Sequence, residues 1–118
     1  MLIKENHIAA AGGIAQVLAR AAAVAGQADF VQIEVETLSQ LAQVLDAGAR
    51  MVLLDNMDLA QLREAVRINN RRASLEISGS VTLEGLRTLA ETGVDRISVG
   101  GLTKDVKAID FSMRFQDL

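Results

Sequence analysis

Apolar residues along this chain follow two alternating patterns. Short runs dense in β-branched and aliphatic side chains occupy 1–4, 30–36, 51–56, 74–78 and 96–100. Between them lie stretches, roughly 12–25, 38–47, 59–69 and 83–92, whose apolar residues recur at helical spacing. Strands that alternate with amphipathic helices mark repeated βα units around a parallel sheet, so the chain reads as an α/β protein with five parallel strands. The helix starts carry chemical signals. Thr37 with Gln40 and Asp58 with Gln61 have the capping-box spacing, and Thr82 precedes the stripe Leu83, Leu86, Leu89. Each stripe is expected to face the sheet. The strings Asp46-Ala47-Gly48-Ala49-Arg50-Met51 and Glu91-Thr92-Gly93-Val94-Asp95-Arg96-Ile97 repeat one plan: an acid, a small residue, a helix-ending glycine, then a strand. The alanine runs at 9–11 and 21–23 suggest closely packed helix faces.

Composition narrows the picture. The chain has 118 residues, which suits one core, and no cysteine, which excludes a disulfide scaffold, a thiolate zinc site and a thiol nucleophile. A net charge of −3 argues against a surface that coats nucleic acid. The most apolar stretch, 8–26, is broken by Gln16 and Arg20 and is rich in alanine, a poor membrane span; Glu5 and the Gly12-Gly13 pair fit badly with a secretory leader. The expectation is a cytoplasmic protein that engages neither nucleic acid nor membrane.

The polar residues that stand out sit at strand ends. Glu34, Asp55 and Glu76 are each 21 residues apart, one βα unit, each at or near the carboxyl end of a strand. Taken singly, such an acid is usually a solvated strand-end group. Three at equivalent positions of neighbouring parallel strands gather on the face where barrel enzymes place their chemistry, and Lys4 joins them from the first strand. Lys4 suits a clamp for a carboxylate or phosphate, with an amine nucleophile and a snorkelling lysine as alternatives. The last two strands end in Ser78-Gly79-Ser80 and Gly100-Gly101, small residues whose amides can approach a phosphate, or simply tight turns. His7 is the only histidine, which rules out multi-histidine metal sites; it orients the loop after the first strand or touches substrate. Met51, Met57 and Met113 read as core filler. Arg63, Arg67, Arg71 and Arg72 read as solvated helix-surface residues.

The strings LIKENHIAAAGG, VQIEVETLSQL, MVLLDNMD and SLEISGSVTLEGLRTLAETGVDRISVGGLTKDVKAIDFSMRF resemble the C-terminal part of the quinolinate phosphoribosyltransferases, in order and over essentially the whole chain. The resemblance implies a partial, open TIM-like α/β barrel, with 1–118 as the C-terminal part of the phosphoribosyltransferase domain. It also implies that an N-terminal sandwich domain and the first barrel strands are missing. A closed eight-stranded barrel takes roughly 250 residues. The implied reaction joins quinolinate to phosphoribosyl pyrophosphate and releases pyrophosphate and carbon dioxide to give nicotinate mononucleotide, with Mg²⁺ accompanying the diphosphate. By this likeness Lys4 holds a substrate carboxylate or phosphate. Glu34 and Asp55 serve the ribose hydroxyls and the magnesium-diphosphate as the catalytic and metal-site pair, and Glu76 lies beside the ribose. Ser78, Gly79, Ser80 and Gly100 hold the 5′-phosphate, with Lys104 approaching it. The chain departs from the family at Gln32, where an acid is common, and at Ser80, where Asn is common. It also lacks the family's arginine-rich pocket for the two quinolinate carboxylates. The expectation is little turnover from the isolated chain, and self-association through open sheet edges as a dimer or higher homo-oligomer. A paralogue of the molybdenum-transport type, a receiver-like signalling domain and a Schiff-base lyase using Lys4 are the alternatives.

Overall fold

The computed structural model describes residues 1–79 and 81–116. In chain order the elements are β1 (Leu2–Ile3), α1 (Glu5–Ala11), α2 (Ile14–Val24), β2 (Gln32–Val35), α3 (Leu38–Asp46), β3 (Met51–Leu54), α4 (Leu59–Asn69), β4 (Ser74–Ile77), α5 (Leu86–Ala90), β5 (Arg96–Ile97) and α6 (Gly101–Lys104). The five strands form one parallel sheet in the order β1-β2-β3-β4-β5. Sequential order is that of a barrel segment. A receiver-type doubly wound sheet would run 2-1-3-4-5, so the signalling alternative fails on topology.

Both capping boxes form. Thr37 Oγ1 accepts from the Gln40 amide at 3.1 Å while Gln40 Oε1 accepts from the Thr37 amide at 3.1 Å. Asp58 and Gln61 reciprocate at 2.8 and 2.9 Å. These contacts satisfy amides at the starts of α3 and α4, which the helices themselves leave unpaired. The repeated glycines also take the same conformation: Gly48 follows α3 at φ 85° and Gly93 follows α5 at φ 92°, a backbone that disfavours any Cβ.

Alternate strand residues point into the helical layer, where Ile33, Val35, Val52, Leu54, Leu75 and Ile77 meet Leu41, Val44 and Leu45 of α3, Leu62 and Ala65 of α4, and Val17 and Ala21 of α2. Period-two alternation therefore delivers Gln32, Glu34, Leu53 and Glu76 to the opposite face of the sheet.

Several expectations need correction. The helix expected over 12–25 begins at Ile14, and a separate helix, α1, precedes it. Gly12 at φ 89° and Gly13 at φ 137° break the two apart, since neither conformation continues a helix. His7 accordingly lies in the first turn of α1, not in a loop. The helix expected over 83–92 shrinks to α5, because Thr82 Oγ1 accepts from the Gly85 amide and closes a turn ahead of it, and this leaves Leu83 exposed. The strands are shorter than the apolar runs, most of all β5. Met57 packs on the core, but Met113 is exposed. Of the alanine runs only Ala21 is buried. No single described helix is long and apolar enough to cross a membrane; the apolar stretch at 5–27 is bent by 96° at its glycine break.

Candidate active site at the carboxyl ends of the strands

Strand register sets the site's geometry. Ile3 pairs with Ile33, which brings the next residue, Lys4, level with Glu34; Glu34 pairs with Leu53, Leu53 with Glu76, and Glu76 with Arg96. One row thus crosses the sheet as Lys4, Glu34, Leu53, Glu76, Arg96. Glu34 and Glu76 stand level, as the spacing implied. Asp55 does not: it lies two residues beyond Leu53, on the same face but one pleat closer to the strand ends. The equal spacing of 34, 55 and 76 arises because the step from β2 to β3 is shorter than the step from β3 to β4.

Ion pairs flank Leu53 on both sides. Lys4 Nζ lies 3.1 Å from Glu34 Oε2, and Glu34 is nearly buried. The Lys4 ammonium is held above its ordinary pKa by the hydrogen bond to Glu34 and then by that carboxylate's charge, against a smaller opposing effect of desolvation. Paired at this distance with a nearly buried carboxylate, the ammonium is a fixed positive charge at the end of β1. On the other side, Arg96 Nε lies 3.6 Å from Glu76 Oε2. Gln32 Nε2 reaches across β3 to donate to Glu76 Oε2 at 3.0 Å, and the Ser98 hydroxyl donates to Glu76 Oε1. Burial pushes the Glu76 carboxyl up, but the hydrogen bonds from Ser98 and Gln32 and the charge of Arg96 outweigh it, so Glu76 sits below its ordinary range.

Beyond the row, Glu36 joins Glu34 and Asp55, with one carboxylate oxygen of each within 4.8 Å of the others. An all-carboxylate oxygen set is the donor chemistry a hard divalent cation such as Mg²⁺ takes, so the residues fit the metal that the resemblance implies. Asp55 and Glu36 also line a cleft of about 810 Å³ with Asn56, Asp58, Ser78 and Gly79. Asn56 takes a left-handed φ of 53°, which turns the chain out of β3 at this point.

Gly79 has φ 136° and open space where a Cβ would stand; Gly100 is equally open and precedes α6. The loops after β4 and β5 meet across a groove of about 490 Å³ lined by Val81, Thr82, Val99 and Gly101. Lys104 ends α6 and is exposed. Ser80 lies outside the described residues. His7 Nδ1 accepts from the Lys4 amide at 3.0 Å, a helix-starting contact that fixes the backbone carrying Lys4. Arg63, Arg67, Arg71 and Arg72 are exposed on α4 and the turn after it, and Arg67 and Arg72 are paired with Glu64 and Asp46. Sequence reasoning missed Glu36, Arg96 and Ser98 as site residues and took Gln32 only as a departure. The signal was present: Glu36 follows Glu34, and Ser98 follows Arg96, by the two-residue period that keeps side chains on one face.

Comparison with known proteins identifies the family. Residues 1–114 match the family model of the quinolinate phosphoribosyl transferase C-terminal domain. A probable carboxylating nicotinate-nucleotide pyrophosphorylase of Bacillus subtilis is 38% identical over 113 residues, covering 96% of this chain and 39% of the relative. A mitochondrial quinolinate phosphoribosyltransferase of Nicotiana tabacum is 36% identical, covering 97% of this chain and 38% of the relative. Among solved structures, the nicotinate-nucleotide pyrophosphorylase of Francisella tularensis superposes with a TM-score of 0.85 at 43% identity, over 92% of this chain and 39% of the other. The chain therefore spans about two-fifths of the length of these relatives, and it belongs to the quinolinate phosphoribosyl transferase C-terminal domain family.

Proposed function

We propose that this chain supplies the phosphoribosyl-binding part of a carboxylating nicotinate-nucleotide pyrophosphorylase and turns over little by itself. The observation that carries the reading is the paired row Lys4–Glu34 and Glu76–Arg96 beside the Glu34, Glu36 and Asp55 cluster, on the face where parallel α/β sheets bind ligands. In the whole reaction the quinolinate ring nitrogen attacks the anomeric carbon of phosphoribosyl pyrophosphate, pyrophosphate leaves with the electron pair of the broken bond, and carbon dioxide departs from the ring carbon beside that nitrogen, whose remaining electron pair takes up a proton from solvent. Glu34 and Asp55 accept hydrogen bonds from the ribose hydroxyls and orient the sugar for in-line displacement. Glu76, kept ionised by its partners, faces the ribose and favours positive charge developing at the anomeric carbon. Lys4 holds a substrate anion. The small turns at Ser78, Gly79 and Gly100, with Ser80 and Lys104, receive the 5′-phosphate. Mg²⁺, held by Glu34 and Asp55 with Glu36 adjacent, would offset the charge of the leaving diphosphate when bound. The described residues form no arginine-rich pocket on this face: Arg67, Arg71 and Arg72 line a cleft at the amino ends of β3 and β4, with Arg50 and Ser74. We place the protein in the cytoplasm and expect copies to associate through open sheet edges.

Calorimetry with phosphoribosyl pyrophosphate tests the reading. Binding is expected only with Mg²⁺ and is expected to weaken at least tenfold in Asp55→Asn. An absence of binding under any metal condition overturns the phosphoribosyl assignment. Formation of nicotinate mononucleotide by the purified chain at the rate of a full-length relative overturns the claim that the chain turns over little by itself.

A further inference from the structure

The cleft of about 870 Å³ at the amino ends of β3 and β4 lies at the opposite end of the sheet from the strand-end acids. Three connections inside the chain build it: Arg50 ahead of β3, the turn carrying Asn70 and Arg71 ahead of β4, and Asp95 ahead of β5. The Ser74 amide donates to the Arg50 carbonyl at 2.9 Å, so the first two connections are fixed side by side. The cleft shares no lining residue with the one at Asp55.

Its arginines divide into two kinds. Arg67 is paired with Glu64, and Arg72 is used by the fold: it pairs with Asp46 at 3.0 Å and donates to the Ile68 and Asn69 carbonyls, which neutralises the negative end of α4. Arg50 and Arg71 have no ion-pair partner among the described residues. Arg71 is the anomaly. It takes φ 62° directly after Asn70 at φ 44°, a left-handed backbone in which glycine is the default and a side chain is unfavourable. The fold keeps an arginine where it strains the backbone and pairs with nothing, and strained residues of this kind gather at ligand sites. The one carboxylate lining the cleft, Asp95, is turned to β4, where its Oδ2 accepts from the Leu75 amide at 2.8 Å.

A concave wall with an excess of one charge draws the opposite charge more strongly than a lone exposed side chain does. Guanidinium groups suit phosphate oxygens, which they meet through paired N–H donors. The volume lies in the range of roughly 300–1,000 Å³ that holds a whole small molecule, far more than one phosphate fills. We propose that this cleft binds a small molecule carrying two or more phosphate groups, without a metal, and that Arg50 and Arg71 are its binding residues.

Tripolyphosphate titrated into the isotope-labelled full chain, with chelator and at fixed ionic strength, tests it by amide nuclear magnetic resonance. Saturable movement of the amides at 50 and 70–75 is expected, with tripolyphosphate binding at least tenfold more tightly than orthophosphate. Arg71→Gly is the decisive variant, because it removes the guanidinium and also relieves the left-handed backbone. It is expected to be at least as stable as the parent in urea and to bind tripolyphosphate at least fivefold more weakly. Arg50→Gln should weaken binding similarly, whereas Arg67→Gln, whose charge is already paired, should change it less than twofold. If Arg50→Gln fails to fold, Arg71→Gly decides. Unchanged binding in Arg71→Gly overturns the proposal, as does a response that chloride reproduces at equal ionic strength. Movement confined to residues 36, 55, 78 and 79 assigns the anion to the strand-end site and overturns it too.

Discussion

Asn69→Ala tests the link between a local turn and the site. Asn69 ends α4 with only 4% of its surface exposed, and its side chain serves both backbone groups of Ala73: Nδ2 donates to the carbonyl at 2.7 Å and Oδ1 accepts from the amide at 3.0 Å. Between them the chain passes through Asn70 at φ 44° and Arg71 at φ 62°, two successive left-handed residues that are unfavourable without an external tie. Alanine at position 69 removes that tie and leaves a nearly buried amide and carbonyl without partners. An unpaired buried group costs about 1–3 kcal/mol. The cleft lined by Asn70, Arg71 and Ser74 lets water reach part of the turn, so the expected total is about 2–4 kcal/mol. Ser74 begins β4 immediately afterwards, and β4 carries Glu76, so the variant should also loosen Glu76. The chain has no Trp or Tyr, so urea unfolding followed by far-ultraviolet circular dichroism is the suitable assay. Asn69→Asp, which keeps the acceptor but sets a carboxylate against the Ala73 carbonyl, should rescue little at neutral pH. A loss below about 0.5 kcal/mol with an unchanged denaturant slope would refute the reasoning, because it would show that the two backbone groups find equivalent partners on their own.

Other outcomes follow from the same structure. Thr37→Ala and Asp58→Ala each remove a cap and should each cost about 0.5–2 kcal/mol, additively in a double variant, measured by urea unfolding. Leu54→Ala, at a nearly unexposed centre of the core, should cost about 2–5 kcal/mol. Glu76 has a folded pKa below its ordinary 4.5, so it contributes stability above that value and loses it as pH falls through the folded pKa. Stability plotted against pH should therefore fall more steeply below about 4.5 for the parent than for Glu76→Gln, and equal slopes would show that the carboxylate gains nothing from its partners.

Local chemistry made the fold legible. The five strands, the caps of α3 and α4 and the helix-ending glycines all depend on residues within a few positions of one another, and each appeared where it was read, the strands shorter at their ends. What failed depended on context. The apolar content of 5–25 could not show that two glycines would divide it, and Leu83 matched a helical stripe that the Thr82 turn pre-empted. The acids at 34, 55 and 76 were found on the correct face, but their level was misjudged because register depends on the length of each connecting helix and loop, which a constant spacing hides. The two-residue period sets Arg96 and Ser98 on one face, but which partner they serve depends on Glu76 lying one strand away, a relation of register and not of spacing.

The distribution of charge across the sheet separates two demands on a ligand. Lys4 offsets Glu34 and Arg96 offsets Glu76, while Gln32 donates an amide hydrogen to Glu76. An acid at 32 would set a third carboxylate beside Glu76 and raise its pKa; the amide does the opposite, so the middle of the row stays nearly neutral. Among the described residues, Glu36 and Asp55 have no ion-pair partner, and they stand at the cleft where β2 and β3 end. Negative charge is therefore concentrated at that end, and the small-residue turns lie at the ends of β4 and β5. An anionic group can approach the turns directly. It can approach Glu36 and Asp55 only together with a cation, because two unscreened carboxylates would repel it. The ligand proposed above, with one phosphate bare and its diphosphate carrying a divalent ion, would satisfy both ends. The division follows from which strand-end acids have a basic neighbour in register, a property of strand pairing and not of any single motif.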